Sequence, residues 1–366
     1  MSASALNFGR SGPRVKRVIP SPRLRFRWLA LAALVLASPR PAQSQAGGPC
    51  PLSDPNARWI QRGISSWERA SEVHLHLPPA PLPWILLYDT RCAWHLAPDT
   101  TRLTGAVPVA VELRSHGRLV AVWGQPHDGM VRLPTGDSMP AAPSAFAALS
   151  SRLEGPYFVL ALPDVFRQDS AAAADSLLEE RILSVMSHEI VHTRQLPYLL
   201  DRLNELGRDG PLPADLDDNV VERRFGADSL FRAAFEQERD LLYDAALEPD
   251  EARARELASR ALEMVRARRD RFYQHEATIY RSLEDLFLSM EGIAEWVRFK
   301  IHQGDPGAFQ NNVEILTFMG GRHNEWVQDE GLALLLLVDR FSEGWQERLL
   351  DPAMPSPVQE LKAALQ

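Results

Sequence analysis

Cysteine is nearly absent: Cys50 and Cys92 are the only two in 366 residues. In an exported protein they can form a single disulfide, tying the start of the mature chain to its first sheet; otherwise they stand as two thiols. A basic stripe is also missing from residue 47 onward. Most basic residues there are arginines interleaved with Glu and Asp, the pattern of a solvated, salt-bridged surface, and the formal net charge is -8. Both features argue against a nucleic-acid partner. The chain shows no internal repeat, and no apolar run long enough to span a bilayer comfortably. Histidine is sparse, with 10 in the chain and none between His192 and His275.

The N-terminus breaks this pattern. Arg10, Arg14, Lys16, Arg17, Arg23, Arg25 and Arg27 occur with no acid among them, followed by the apolar run "WLALAALVLA" and then "SPRPAQSQAGG". A basic segment, a short apolar core and small residues at Ser44 and Ala46 predict a signal peptide over 1–46, cleaved after Ala46. The mature chain is then secreted or periplasmic. An uncleaved anchor is the alternative, disfavoured by the shortness of the run. Cys50 lacks the residues that would precede it in a lipoprotein box.

Residues 47–170 read as a strand-rich region. A short helix is expected around 55–72, then strands at "WILLYDT" (84–90), "VPVAVELR" (107–114), "LVAVWG" (119–124), "MVRLP" (130–134) and "YFVLALP" (157–163), with a turn at "HG" (116–117). From 171 to 346 the pattern is helical. A helix is expected over 171–195, closed by Pro197, then helices over 222–247, 250–303 and 323–341. A tail, 347–366, ends the chain, with room for a short closing helix. Strands first and helices after predict an α+β fold: a small mixed or antiparallel sheet, an active-site helix, and a large helical C-terminal region.

The predicted helix over 171–195 contains "MSHEIVHTRQ". His188-Glu189-Ile190-Val191-His192 is H-E-x-x-H. A spacing of four places both imidazoles on one helix face, with Cβ atoms about 6 Å apart, so two ring nitrogens can reach one ion. Zinc takes imidazole nitrogen and favours three protein ligands plus water at catalytic sites. Glu189, beside the first ligand, can act as general base on that water. Read blandly, the same letters make a helix with two surface histidines. The helical context, with Ile190 and Val191 as its buried side, favours the metal site.

A third ligand is required. The extended H-E-x-x-H-x-x-G-x-x-H pattern is absent. Glu291 in "SMEGIAEWVRFK" and Glu330 in "QDEGLALLLLVDR" compete, each preceding glycine and an apolar helical run. With Glu291-Gly-Ile-Ala-Glu295, the motif resembles the glutamate-zincins, a clan of zinc metallopeptidases. The resemblance implies a zincin-like fold, zinc held by His188, His192 and Glu291, and Glu295 orienting the first histidine. Asp is more usual at that last position in the thermolysin-like branch. It also implies a peptide or protein substrate bound along an edge strand, at the place of "YFVLALP", and an oxyanion donor from the helical region. Candidates for that donor are His323 and Tyr280, with Tyr273 and Tyr243 behind them. Glu330 remains open as the alternative ligand or as a pocket residue.

The resemblance covers only the two motif helices and the sheet-before-helix order. Roughly a hundred residues separate His192 from Glu291, where many relatives space them far more closely. That insert is helical, able to pack as a hairpin beside the site or to serve as a lid. The G-x-M-E-N motif of the aminopeptidase branch is missing. His74, His76, His95, His116 and His127 show no ligand-like pairing with the motif, and His74 and His76 read as surface residues on an extended stretch. The leading expectation is an exported zinc metallopeptidase. The others are a zincin-like binding or envelope protein that has lost catalysis, a zinc hydrolase of a non-peptide amide or ester, and a metal-free helical envelope protein. The intact Glu189 argues against lost catalysis.

Overall fold

The computed structural model describes residues 50–98, 100–149, 155–168, 170–304, 308–322, 324–350 and 355–366. The expected signal segment, 1–46, lies outside them. The described chain is α+β: one helix, then the strands, then the remaining helices. The strands are β1 (Trp84–Tyr88), β2 (Cys92–Leu96), β3 (Val107–Pro108), β4 (Arg114–Ser115), β5 (Arg118–Leu119), β6 (Val122–Pro126), β7 (Met130–Arg132), β8 (Ser138–Pro140), β9 (Ala145–Leu149) and β10 (Pro156–Ala161). Six of them form a mixed sheet in the order β3-β6-β2-β1-β10-β9, while β4-β5 and β7-β8 are separate hairpins.

Strand alternation divides the sheet into two apolar faces. Ile85, Leu87, Trp94, Leu96, Phe158 and Leu160 join the main core under the helices. Trp84, Leu86, Tyr88, Ala93, Tyr157 and Val159 point the other way and cluster with Val131 of the β7-β8 hairpin. This explains why "WILLY" is a continuous apolar run: β1 is buried along its whole length. The disulfide Cys50–Cys92, with Cα atoms 5.8 Å apart, fastens the segment ahead of the first helix to β2.

Several boundaries differ from the sequence reading. The strand expected over 107–114 reduces to its two ends, because Pro108 cannot donate to a ladder. The turn at 116–117 forms as expected, with His116 and Gly117 both at positive φ. β2, β8 and β9 were not expected from the sequence. β9 is "AFAAL", whose alanines carry little strand preference. "YFVLALP" is not the edge strand: β10 is interior, and β9 covers it as the terminal strand.

The helices are α1 (Asp54–Arg69), α2 (Pro163–Phe166), α3 (Ser170–Ala173), α4 (Leu178–Asp209), α5 (Val220–Phe225), α6 (Ser229–Leu247), α7 (Glu251–Phe272), α8 (Ile279–Gln303), α9 (Asn312–Phe318), α10 (Trp326–Phe341), α11 (Trp345–Leu349) and α12 (Pro357–Leu365). A π-helical turn, Ala70–His74, extends α1 and leaves His74 half-buried near Trp296, not on an extended surface stretch. The motif helix starts later than expected and runs through Pro197 to Asp209. Proline in a helix interior costs about 3 kcal/mol. Here Leu196, Leu199 and Leu203 are all buried in the core on either side of it, and that packing outweighs the lost backbone bond.

The helix expected over 250–303 is broken. α7 ends at Phe272, and α8 begins at Ile279 after a short 3-10 turn with His275 at positive φ. The break lets α6 and α7 pair as a hairpin and returns α8 against α4 and α10. Where α8 crosses α10, Gly292 meets Gly331, and a Cβ on Gly292 would lie 2.8 Å from the Gly331 carbonyl oxygen. The two glycines permit a backbone-to-backbone crossing. The tail is not loose: Ser356 and Gln359 form a capping box for α12, and Leu361 is fully buried.

Candidate metal centre

α4 places His188 and His192 on one face, and α8 returns beneath it with Glu291. The two imidazoles stand edge to face, and their Nε2 atoms are 2.8 Å apart. Glu291 reaches both: Oε2 lies 3.4 Å from His188 Nε2, and Oε1 lies 3.3 Å from His192 Nε2. All three residues are buried, and their ligand atoms lie within 4.8 Å of one another. A tetrahedral ion with ligands at about 2.0–2.2 Å separates such atoms by roughly 3.3–3.6 Å. Each histidine–glutamate distance falls in this range, one to each carboxylate oxygen, and the two imidazole nitrogens stand somewhat closer together than it. Two imidazoles and a carboxylate are also a donor set that zinc takes.

Both rings are aimed by a partner on their other nitrogen. Gln195 donates through Nε2 to the Met290 carbonyl at 3.1 Å, so its Oε1, 3.0 Å from His192 Nδ1, is the acceptor there. With Nδ1–H donating to Gln195, Nε2 would be the nitrogen turned to an ion at the shared point. Glu295 Oε1 lies 3.0 Å from His188 Nδ1, off the axis of a straight N–H···O bond. Arg298 grips the same carboxylate at 2.7 and 2.9 Å. Gln328, from α10, donates to Glu291 Oε2 at 3.3 Å.

The charges are unbalanced in a way that calls for a cation. Burial opposes charge on His188, yet its contacts with Glu291 and Glu295 outweigh burial and push it up to about 10. Burial likewise works against Glu291 and Glu295. His192 and His188 beside the first, and Arg298 and His188 beside the second, hold both below the ordinary carboxylate range. The carboxylates demand positive charge between them, which either a proton on His188 or a divalent ion provides.

Glu189 lines the same cleft and is 3% exposed. Burial raises its carboxyl, against His188, His192 and a hydrogen bond from the Ala147 backbone. Ala147 belongs to β9, whose Ala145 and Phe146 also line the cleft. Asp218, from the loop before α5, closes another side. Burial, together with Glu291, Glu325 and Asp217, pushes Asp218 well up, which disfavours its charged form.

Glu330 does not approach the triad. It faces Arg268 at 3.6 Å in a buried cluster with Glu238 and Glu284. Tyr273 donates to Glu284 in that cluster, Tyr280 packs on Phe225 and Tyr273, and Tyr243 is buried beside Arg322. None of the three tyrosines lines the cleft. His323 lies outside the described residues. Gln195 and Arg298 were missed in the sequence, although each stands three residues beyond a site residue and so shares its helix face. Asp218 sits in an aperiodic acidic loop with no pattern to flag it, and β9 lacked strand signals. Comparison with family models, curated proteins and solved structures finds no match, so the likeness to glutamate-zincins rests on these residues themselves.

Proposed function

We propose that the chain is an exported zinc-dependent peptidase of zincin-like fold, with Glu189 as the general base. The observation that carries this reading is the convergence of His188, His192 and Glu291 on one buried point, with Glu189 in the same cleft. His188, His192 and Glu291 would hold the ion, while Glu295 and Gln195 orient the two imidazoles. Zinc, when bound, supplies a Lewis acid that acidifies water and polarises a carbonyl. Glu189 takes a proton from the attacking water and delivers it to the leaving amine, and burial, which raises its proton affinity, favours the first of these transfers. An extended substrate chain lies along β9, the terminal strand beside the cleft. Tyr280 packs away from the cleft, which leaves His323, outside the described residues, as the candidate donor to the developing oxyanion. Export rests on the signal pattern at 1–46.

The test is metal content by mass spectrometry of the mature chain, run beside Glu291→Ala and Glu330→Ala, followed by hydrolysis of casein and peptide libraries. The expected result is about one zinc per chain, lost in Glu291→Ala and kept in Glu330→Ala. Glu189→Gln should keep zinc and lose about 10²- to 10⁴-fold in rate. A wild-type chain that stays metal-free in supplied zinc overturns the ligand set. Zinc without peptide hydrolysis transfers the reading to a non-peptide amide or ester hydrolase, or to a zincin-like protein without catalysis.

A further inference from the structure

A second cavity, of about 290 Å³, opens on the sheet face turned away from α4. Its floor includes His95 of β2, which pairs across the ladder with Leu86 and Trp123 and so shares their face. The metal cleft, by contrast, is reached from the β9 edge. Space for about ten waters, at ~30 Å³ each, fits a small organic molecule, at the low end of ligand-pocket volumes.

His95 is 2% exposed. Its Nδ1 accepts a hydrogen bond from Trp84 Nε1 at 3.1 Å. The ring proton therefore sits on Nε2, which is buried and has no hydrogen-bond partner. Burial lowers His95 to about 4, so the ring is neutral near pH 7 and offers one N–H. A buried donor left unpaired is costly, and such exceptions call for a partner. At the rim stands exposed Arg132 of β7, which forms no ion pair among the described residues. Thr104 and Gln125 add polar donors, Leu103 and Leu133 add apolar wall, and no carboxylate lines the cavity. Asp137, two residues beyond the lining Thr135, accepts from Thr135 Oγ1 at 3.0 Å.

We propose that this cavity binds a small organic carboxylate with a short apolar tail. The carboxylate accepts from His95 Nε2–H at the floor and from Arg132 at the rim, and the tail lies against Leu103 and Leu133. One guanidinium beside a neutral imidazole matches a monoanion. A dianion such as phosphate would bring surplus charge into a partly apolar space.

The test is isothermal titration calorimetry of the mature chain with acetate, hexanoate and benzoate, using hexan-1-ol and inorganic phosphate as comparisons. Saturable binding of hexanoate or benzoate is expected, with none of hexan-1-ol. Arg132→Gln, an exposed change that leaves folding intact, and His95→Phe, which keeps the ring but removes the donor, should each weaken binding at least tenfold. Binding should persist in His192→Ala, which separates this cavity from ligation at the metal centre and keeps the test independent of the peptidase reading. The proposal is overturned if none of the three acids binds saturably, if phosphate binds more tightly than they do, if His192→Ala abolishes binding, or if Arg132→Gln and His95→Phe leave it unchanged.

Discussion

Replacing Gly292 by alanine sets two effects of opposite sign against each other. On helix propensity alone the change stabilises α8 by about 1 kcal/mol, because glycine loses more backbone freedom on folding. At this position, however, the added Cβ would sit 2.8 Å from the carbonyl carbon and oxygen of Gly331. Those are backbone atoms of α10, and no side-chain rotation relieves the overlap. The approach is mutual, since a Cβ on Gly331 would lie 2.8 Å from Gly292 Cα. The helices can admit a methyl only by moving apart, and overpacking of this kind costs about 1–3 kcal/mol. The net expectation is a loss of up to roughly 2 kcal/mol despite the propensity gain. Urea unfolding of metal-free chain measures it without linkage to bound metal. Gly207→Ala is the control, because its nearest neighbour would be Leu212 Cδ1 at 3.5 Å, an ordinary contact; it should be neutral or stabilising. Metal affinity should also fall in Gly292→Ala, because the adjacent Glu291 moves with α8. A Gly292→Ala chain more stable than wild type, with unchanged metal affinity, refutes the close crossing and the way it seats Glu291.

Burial pushes Glu330 up to about 7, against the pull of Arg268, from an ordinary 4.5. The folded chain therefore holds a proton that the unfolded chain releases across that window, and this contribution to stability is lost as pH rises through it. Glu330→Gln should remove it, so its stability relative to wild type improves between pH 5 and pH 7 by up to roughly 1.4 kcal/mol per unit; urea unfolding at both values shows whether it does. The disulfide closes a sequence separation of 42 residues, so Cys92→Ser should lower stability by about 4 kcal/mol on the chain-entropy account, read by denaturant midpoint.

The order of strands before helices and the motif helix were legible because they rest on local periodicity. β9 was not, since "AFAAL" becomes a strand only through its ladder with β10, and a ladder is a non-local fact. The stop at Pro197 was a sound local inference overruled by the burial of Leu196, Leu199 and Leu203. The hardest choice lay between Glu291 and Glu330, and its difficulty has a physical origin. Both precede a glycine because Gly292 and Gly331 face each other where α8 crosses α10. Each residue turns a helix by about 100°, so a glutamate just before a contact glycine points to one side of the crossing. On α8 that side holds His188 and His192; on α10 it holds Arg268. The same two letters thus encode one packing device with two destinations. Which glutamate meets the two histidines is decided by which helix returns against α4, and the break at 273–278 makes that helix α8. A sequence reading that treats 250–303 as one continuous helix can find both glutamates but has no geometry with which to separate them.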